Sequence, residues 1–242
     1  MPKNARVIEE VRRCLHSEPR LGPAFHPVRM QLGEDGTLIL EAEVERVAQK
    51  RLALERAAAV SGVAGIVDRV RVRPASHMGD DEIRVHIRDA LLEDPNFAAI
   101  AISEVESGRT ATIRAPAKWT KGHIVVEVTD GIVTLGGEVP GLNSKRLAGV
   151  MAWWVPGSRD VINGIAVEPP EDDGPDRIEE AVRHALEKDP FVNAGQIRAG
   201  VRHRTVRLTG LVPTASEREM AEADAWYLFG VDDVVTDIEV SR

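Results

Sequence analysis

The 242-residue chain has a single cysteine, Cys14, so no disulfide can form within it. A chain without disulfides fits a reducing compartment. Aromatic residues make up only 4% of the sequence against 43% hydrophobic residues, which predicts cores of Val, Ile, Leu and Ala. No run approaches the roughly 20 apolar residues of a membrane-spanning helix, and the first 20 residues lack the apolar segment of a signal peptide. We therefore expect a cytoplasmic chain as given, or a periplasmic one if an export segment was removed.

Residue patterns for catalysis and metal binding are equally scarce. The chain has no cysteine pair and no His-x-x-x-His spacing. The nearest approach to a metal cluster is His77 with Asp80, Asp81 and Glu82. That pattern is more typical of a helix start, where acidic side chains are favourable. The sequence therefore predicts no enzyme, no cofactor and no metal site.

Positive charge is also in short supply. The formal net charge is −8, and a bulk acidic balance disfavours nonspecific binding to nucleic acid. The first third of the chain carries a small positive excess and the last third a clear negative one. We therefore expect no nucleic-acid partner, and any attraction to anions belongs to local patches.

What the chain does have is a repeat. One stretch occurs three times, as "DGTLILEAEV" from Asp35, "DGIVTLGGEV" from Asp130 and "HRTVRLTGLV" from His203. Each copy is followed, after the same 27-residue spacing, by a glycine and a valine-rich strand. Equal spacings of this kind are the signature of a tandem supersecondary unit.

Each repeat begins with a predicted helix that ends at an acid and a proline, Pro19, Pro95 or Pro190. Apolar residues recur every four positions upstream of these prolines, which places them on one helix face. The proline ends each helix at the residue before it.

The rest of each repeat predicts two strands in a hairpin, a second helix and a closing strand. The third inward position of the second strand is always small, as Ala42, Gly137 and Gly210, and we expect a side chain there to block the approach of a helix. The predicted fold is α+β, made of tandem small αββαβ units, each a three-stranded mixed sheet with two helices on one face. The predicted limits are residues 1–75, residues 79–169 with an insertion at about 96–123, and residues 174–242. The acidic linker before the last repeat is expected to be extended and solvated.

With the repeat laid out, the chain resembles the BON domain family, also called the transport-associated domain. The resemblance rests on Asp-Gly-x-Val-x-Leu-x-Gly-x-Val, best seen between Asp130 and Val139 in the middle repeat, and on the small-residue helix, Gly-Val and closing strand that follow. The resemblance implies an αββαβ fold without catalytic machinery and a role in binding phospholipid membranes or partner proteins. It also implies a bacterial protein linked to envelope or osmotic stress. This chain departs from the family pattern in lacking an export signal, in carrying His203-Arg204 in place of Asp-Gly, and in its insertion.

The insertion is the first candidate for a contact site. Ile102–Glu106 and Arg109–Arg114 are predicted to form an extra hairpin around Ser107 and Gly108, and Lys118, Trp119 and Lys121 follow it. A tryptophan flanked by lysines on a loop suits a membrane interface or a protein contact. The alternative is that Trp119 folds back over its own domain.

Aromatic residues on the second helices are the second candidate. Trp153 and Trp226 occupy equivalent positions where the first repeat has Ala58, and Trp226 is followed by Tyr227. They predict either packing between neighbouring repeats or an external binding surface.

The sequence thus predicts a non-enzymatic binding protein that contacts phospholipid headgroups or, as the alternative, a protein-interaction scaffold or oligomerisation module. A homo-oligomer is compatible with either.

Overall fold

The computed structural model describes residues 3–241; residues 1, 2 and 242, which the predicted first and last repeats include, lie outside the described residues. By compactness the chain divides into two units, residues 1–73 and 74–242. The three domain limits given above stay a prediction.

The first unit is one αββαβ repeat. Its elements are α1 (Lys3–His16), β1 (Arg29–Leu32), β2 (Thr37–Val44), α2 (Val47–Ala58) and β3 (Gly65–Val72). Strand β2 lies in the centre, antiparallel to β1 and parallel to β3. Val11 and Leu15 of α1 and Leu38 and Leu40 of β2 are buried, so the four-residue and two-residue periods of the sequence meet in one aliphatic core.

The middle repeat opens the second unit and is larger than the other two. Its elements are α3 (Asp80–Glu93), β4 (Ile100–Glu106), β5 (Arg109–Arg114), β6 (Gly122–Thr129), β7 (Ile132–Val139), α4 (Leu142–Trp154), β8 (Asp160–Asn163) and β9 (Ala166–Val167). The predicted insertion hairpin is confirmed as β4 and β5.

The prediction of a three-stranded sheet is wrong for this repeat. Its sheet has six strands, in the order β5-β4-β6-β7-β8 with β9 also on β7. The insertion is part of the sheet because β4 pairs with β6 in parallel and buries Ile100 and Ile102 under α3.

The last repeat returns to the three-stranded plan. Its elements are α5 (Pro175–Lys188), β10 (Ile197–Arg202), β11 (Thr205–Val212), α6 (Ala215–Tyr227) and β12 (Asp233–Val240). The strand order is β10-β11-β12, with β11 antiparallel to β10 and parallel to β12. The α+β class and the repeated αββαβ plan are therefore confirmed.

Both hairpins of the second unit that correspond to the repeated turn have two consecutive residues with positive φ. The values are 54° and 72° at Asp130 and Gly131, and 48° and 63° at His203 and Arg204. This is the tight turn that matches strand twist. Asp80, at the start of α3, accepts hydrogen bonds from the backbone N–H groups of Asp130 and Gly131 at 2.9 and 2.8 Å. The first helix of the middle repeat thus holds its hairpin.

The small residues inside β7 and β11 have a different cause from the predicted one. Gly137 and Gly210 have φ of 105° and 152°. A Cβ there would collide with the backbone carbonyl of His123 on β6 and that of Gln196, the residue directly before β10. The close approach is therefore between two strands of the hairpin, and the expectation that a helix required it was wrong.

Candidate functional site

The segment after β5 forms a tight loop with Trp119 at its tip. Within this tryptophan loop, residues 115–121, the Thr120 N–H donates to the Ala117 carbonyl at 3.0 Å and the Ala117 N–H donates to the Thr120 hydroxyl at 2.6 Å. The Lys121 N–H donates to the Ala99 carbonyl at 2.8 Å. The turn and its downstream end are thus fixed by hydrogen bonds.

The upstream end of the loop is fixed by Arg114. Its Nε donates to the Ile100 carbonyl at 3.0 Å, and one terminal nitrogen donates to the Phe97 carbonyl at 2.9 Å and the Leu91 carbonyl at 3.4 Å. One of these carbonyls, that of Leu91, lies in the last turn of α3, where a cation is favourable, and the other two follow the helix. Sequence reasoning missed this role, because nothing in the local pattern separates Arg114 from a solvated charge.

Trp119 is 60% exposed, and Lys118 and Lys121 are exposed beside it. The alternative in which the tryptophan folds back over its own domain is therefore not the arrangement found. That Lys118, Trp119 and Lys121 contact a lipid or a partner stays a prediction.

The electrostatic setting of the tryptophan loop differs from that of the whole chain. No aspartate or glutamate occurs between Glu106 and Glu127, whereas this stretch contains Arg109, Arg114, Lys118 and Lys121. A local positive stretch therefore lies in a chain whose net charge is −8. Since Arg114 is engaged with carbonyls, the two lysines supply the exposed charge closest to the indole along the chain.

The aromatic residues of α4 and α6 lie inside the second unit. Trp153 is 8% exposed and its ring stacks on that of Tyr227, with centroids 5.9 Å apart and an angle of 15° between the planes. Trp226 is 2% exposed and Tyr227 is half-buried. For Trp153, packing between neighbouring repeats is the arrangement found, because its ring stacks on Tyr227 of the last repeat. Trp226 is buried and presents little surface to a lipid or a partner. The sequence pattern alone left these alternatives open.

A buried carboxyl completes this inter-repeat contact. Asp224 of α6 is 2% exposed and accepts a hydrogen bond from Nε1 of Trp154 at 2.7 Å. Burial raises the pKa of Asp224 to about 8, with Asp189 adding to the shift, because both disfavour a further negative charge. Burial likewise raises the pKa of Tyr227 to about 12. The sequence gave no signal for Asp224, since an aspartate on a helix is ordinarily solvated.

A buried arginine joins the two repeats a second time. Arg146 of α4 is fully buried, donates from Nε to the Phe229 carbonyl at 2.9 Å and pairs with Asp173 in the linker. Glu171 of the same linker accepts from the N–H of Leu142 at the start of α4 at 2.9 Å. The linker residues 168–173 are exposed and lie outside helices and strands, as the sequence predicts, but two of their carboxylates also pair with a cation and cap a helix.

The described residues hold neither a metal cluster nor a membrane-spanning helix. Within residues 3–241, no group of three His, Cys, Asp or Glu side chains is placed to hold a metal ion. Over the same residues, none of the helices combines the length and the apolar character needed to cross a bilayer.

Comparison with known proteins gives the family. A model described as the BON domain matches residues 106–169 and 174–242, just over half of the chain. A search of curated proteins found no match. Two similar solved structures are of CdsD, a structural protein of the type III secretion system of Chlamydia trachomatis. The first, its C-terminal domain, has 13% identity over 98% of both chains and a TM-score of 0.26. The second has 14% identity over 98% of this chain and 92% of that chain, with a TM-score of 0.25.

TM-scores of this size carry no argument about this chain. The family model does, because its two matches cover the hairpin, second helix and closing strand of the middle repeat and the whole of the last repeat. The resemblance seen in the sequence is thereby confirmed, and the chain belongs to the BON domain family.

Proposed function

We propose that this chain is a non-enzymatic binding protein that contacts the headgroup region of phospholipid membranes through the tryptophan loop. The observation that carries the proposal is the exposure of Trp119 at the loop tip, between exposed Lys118 and Lys121, on a stretch that lacks acidic residues. Membership of the BON family supports a binding role, since lipid or protein binding is the role that the family resemblance implies.

The chemistry of the loop suits an anionic lipid surface. An indole ring prefers the interfacial zone, where its face contacts acyl chains and its N–H meets water and headgroups. Lysine stems can lie along that zone while the ammonium groups reach phosphates. Each cation near an anionic surface contributes about 1 kcal/mol, so one loop gives weak binding that salt should screen.

The acidic remainder of the molecule gives this contact a direction. With a net charge of −8, the chain as a whole is repelled by an anionic surface. Binding then requires that the tryptophan loop face the membrane and that other surfaces face away. The chain should bind neutral vesicles less well, because the two lysines contribute little without anionic headgroups.

The alternative, a scaffold that binds through the aromatic second helices, has less support. Trp153 and Trp226 are buried and Tyr227 is half-buried within the second unit. A protein contact of this chain would therefore need another surface.

Co-sedimentation with liposomes tests the proposal. The chain should pellet with vesicles rich in anionic lipid at low salt, pellet less at moderate salt, and remain mostly in solution with neutral vesicles. The variant Lys118→Ala/Trp119→Ala/Lys121→Ala should lose this binding while keeping the circular dichroism spectrum of the parent.

A matched control removes the same kinds of exposed side chain elsewhere. Arg6→Ala/Arg13→Ala/Phe191→Ala deletes two exposed cations and an aromatic ring that is 70% exposed. This control should bind like the parent. Equal loss in both triple variants would mean nonspecific attraction, and absence of binding under every condition would rule out the membrane contact.

A further inference from the structure

The same edge of the sheet has a different neighbour in each of the three repeats. This edge is the outer side of the strand that precedes the repeated turn, and it lies next to the first helix of each repeat. In the middle repeat the chain covers it with its own strand, since β4 runs parallel to β6 with Ile102 beside Ile124 and Glu104 beside Val126. Ile124 and Val126 are then fully buried.

In the last repeat the corresponding edge is open among the described residues. Strand β10 is the outer strand of its sheet, and Ile197 pairs with Gly210 as Ile124 pairs with Gly137 in the middle repeat. Ala199, at the position of Val126, is only half-buried. A groove of about 600 Å³ lies between β10 and α5 and is lined by Leu186, Ile197 and Ala199 along its apolar floor.

In the first repeat a loop narrows the same space. Phe25 and Pro27 line it together with Leu15 and Met30, and its volume is about 230 Å³. The segment between α5 and β10 is short and contains only a 3-10 turn, Ala194–Gln196. Among the described residues it supplies no strand to the edge, and the lining of the groove includes no aromatic ring. Of the three equivalent edges, the one at β10 is therefore the one that another polypeptide segment could bind.

The charges on the two helices show what kind of occupant fits. In the middle repeat, Arg84 lies eleven residues before Pro95, is buried, and has its Nε 3.6 Å from Glu104 of β4. Eleven residues before Pro190, the last repeat has Glu179 instead, which is exposed. The charged lining of the groove consists of three acids and two arginines, Asp176, Glu179, Glu180, Arg183 and Arg198. Arg88, which also lies near Glu104 at 3.7 Å, has Arg183 as its counterpart seven residues before Pro190, and Arg183 pairs with Glu187. The charge at the position of Arg84 is therefore reversed, whereas the charge at the position of Arg88 is kept.

We propose that the groove between α5 and β10 binds an extended segment of a partner protein as a fourth strand, parallel to β10. Its pattern would be that of β4 with one change: two apolar residues two apart, at the positions of Ile100 and Ile102, followed two residues later by Lys or Arg in place of Glu104. Main-chain hydrogen bonds to the free edge of β10 would supply affinity. Glu179, with Asp176 and Glu180 near it in the lining and Arg183 paired to Glu187, would select the basic residue.

Two synthetic peptides serve as probes. One has the sequence of residues 99–106, which includes β4, and the other carries Glu104→Lys in that sequence. Titrated into the full chain, the lysine peptide should bind about tenfold more tightly than the glutamate peptide, since a tenfold ratio requires only about 1.4 kcal/mol. Amide resonances of Arg198, Ala199 and Gly200 should shift on binding.

A charge reversal on the protein makes the test specific. In the Glu179→Arg variant the preference should invert in favour of the glutamate peptide, as in the native pairing of Arg84 with Glu104. Glu179 is exposed, so the variant should keep the thermal unfolding of the parent. The same substitution at Glu219 on α6, which is exposed and does not line the groove, should leave the preference unchanged.

Three results would overturn the proposal. They are the absence of binding by the lysine peptide at millimolar concentration, equal binding of both peptides that Glu179→Arg does not alter, and resonance shifts confined to residues outside the last repeat. A fourth result would assign the groove differently. If the chain sediments as a dimer that the lysine peptide dissociates, the occupant is a second copy and the partner assignment is wrong.

Discussion

The first repeat and the last two repeats share one chain plan but differ in what their second helices carry. The first repeat has Ala58 where the other two have Trp153 and Trp226, and Ala58 is exposed whereas both tryptophans are buried. Helices α4 and α6 also contribute Arg146 and Asp224 to the contact between the last two repeats. The αββαβ plan therefore supplies a core, and large side chains on the second helix join one repeat to another.

The largest expected effect comes from removing one of these side chains. Trp226→Ala should lower the free energy of unfolding of the second unit by about 3–5 kcal/mol, the usual cost of truncating a buried tryptophan. All four tryptophans lie in this unit, so their fluorescence during denaturant titration reports its unfolding separately from that of the first unit.

The matched control is a truncation at the same position of the first repeat. Ala58→Gly should cost about 1 kcal/mol, the propensity difference of an exposed helical site, and it should leave the tryptophan transition unchanged. If Trp226→Ala costs no more than Ala58→Gly, Trp226 does not contribute a buried side chain to the stability of the second unit.

The sequence predicted the parts of this comparison that depend on periodicity. The sequence predicted which helix faces are buried from the four-residue spacing in α1, α3 and α5. It predicted the buried face of the strands from the two-residue alternation around Asp130. Both predictions hold because each repeat buries the same faces. Copies of the pattern in one chain also confirmed one another, so the repeat plan was visible without an alignment.

The parts that depend on contacts between elements were not visible. Arg146 reads as an ordinary surface cation on a helix, and its burial depends on Phe229 and Asp173. The pairing of β4 with β6 likewise depends on the fit of Ile102 under α3. At the candidate site, the sequence identified Trp119 and its lysines, whereas the hydrogen bonds that hold the tip away from the domain were beyond pattern reasoning.

The second prediction uses pH, because buried carboxyls of the two units shift in opposite directions. Asp224 in the second unit has a pKa raised to about 8 by burial. The native state then holds a proton that the unfolded state releases, so stability falls as pH rises from about 4 to about 8. Between pH 6 and 8 the second unit should lose about 2 kcal/mol. Asp224→Asn should remove this part of the slope in denaturant titrations followed by tryptophan fluorescence.

Glu18 in the first unit has the opposite sign. Hydrogen bonds from Arg20 lower its pKa to about 2, against the effect of burial and with help from Arg56. Its contribution is present above about pH 4.5 and is lost as pH falls toward 2. The difference in unfolding free energy between Glu18→Gln and the parent, followed by circular dichroism, should therefore be smallest in acid.

The Asp224 prediction has its own contradicting result. If the stability of the second unit rises between pH 6 and 8 and Asp224→Asn flattens that rise, Asp224 is not protonated in the native state.

The smallest expected effect concerns Lys145 of α4, whose Nζ lies 4.6 Å from the centre of the Phe229 ring. A cation over an aromatic face at a partly exposed site contributes about 0.5–1 kcal/mol, so Lys145→Met should destabilise the second unit by that amount.

The equivalent Lys50 in the first repeat is buried, pairs with Asp68 and donates to the Val70 carbonyl at 2.7 Å. Lys50→Met should cost more, because it removes the buried ion pair with Asp68 and one of the two donors to the Val70 carbonyl, the other being Arg71. Chemical denaturation of both variants, followed by fluorescence and circular dichroism, checks the order. Equal costs would mean that the lysine has one structural role in both repeats, whereas the predicted order means that the same position anchors a strand in the first repeat and a neighbouring repeat in the second.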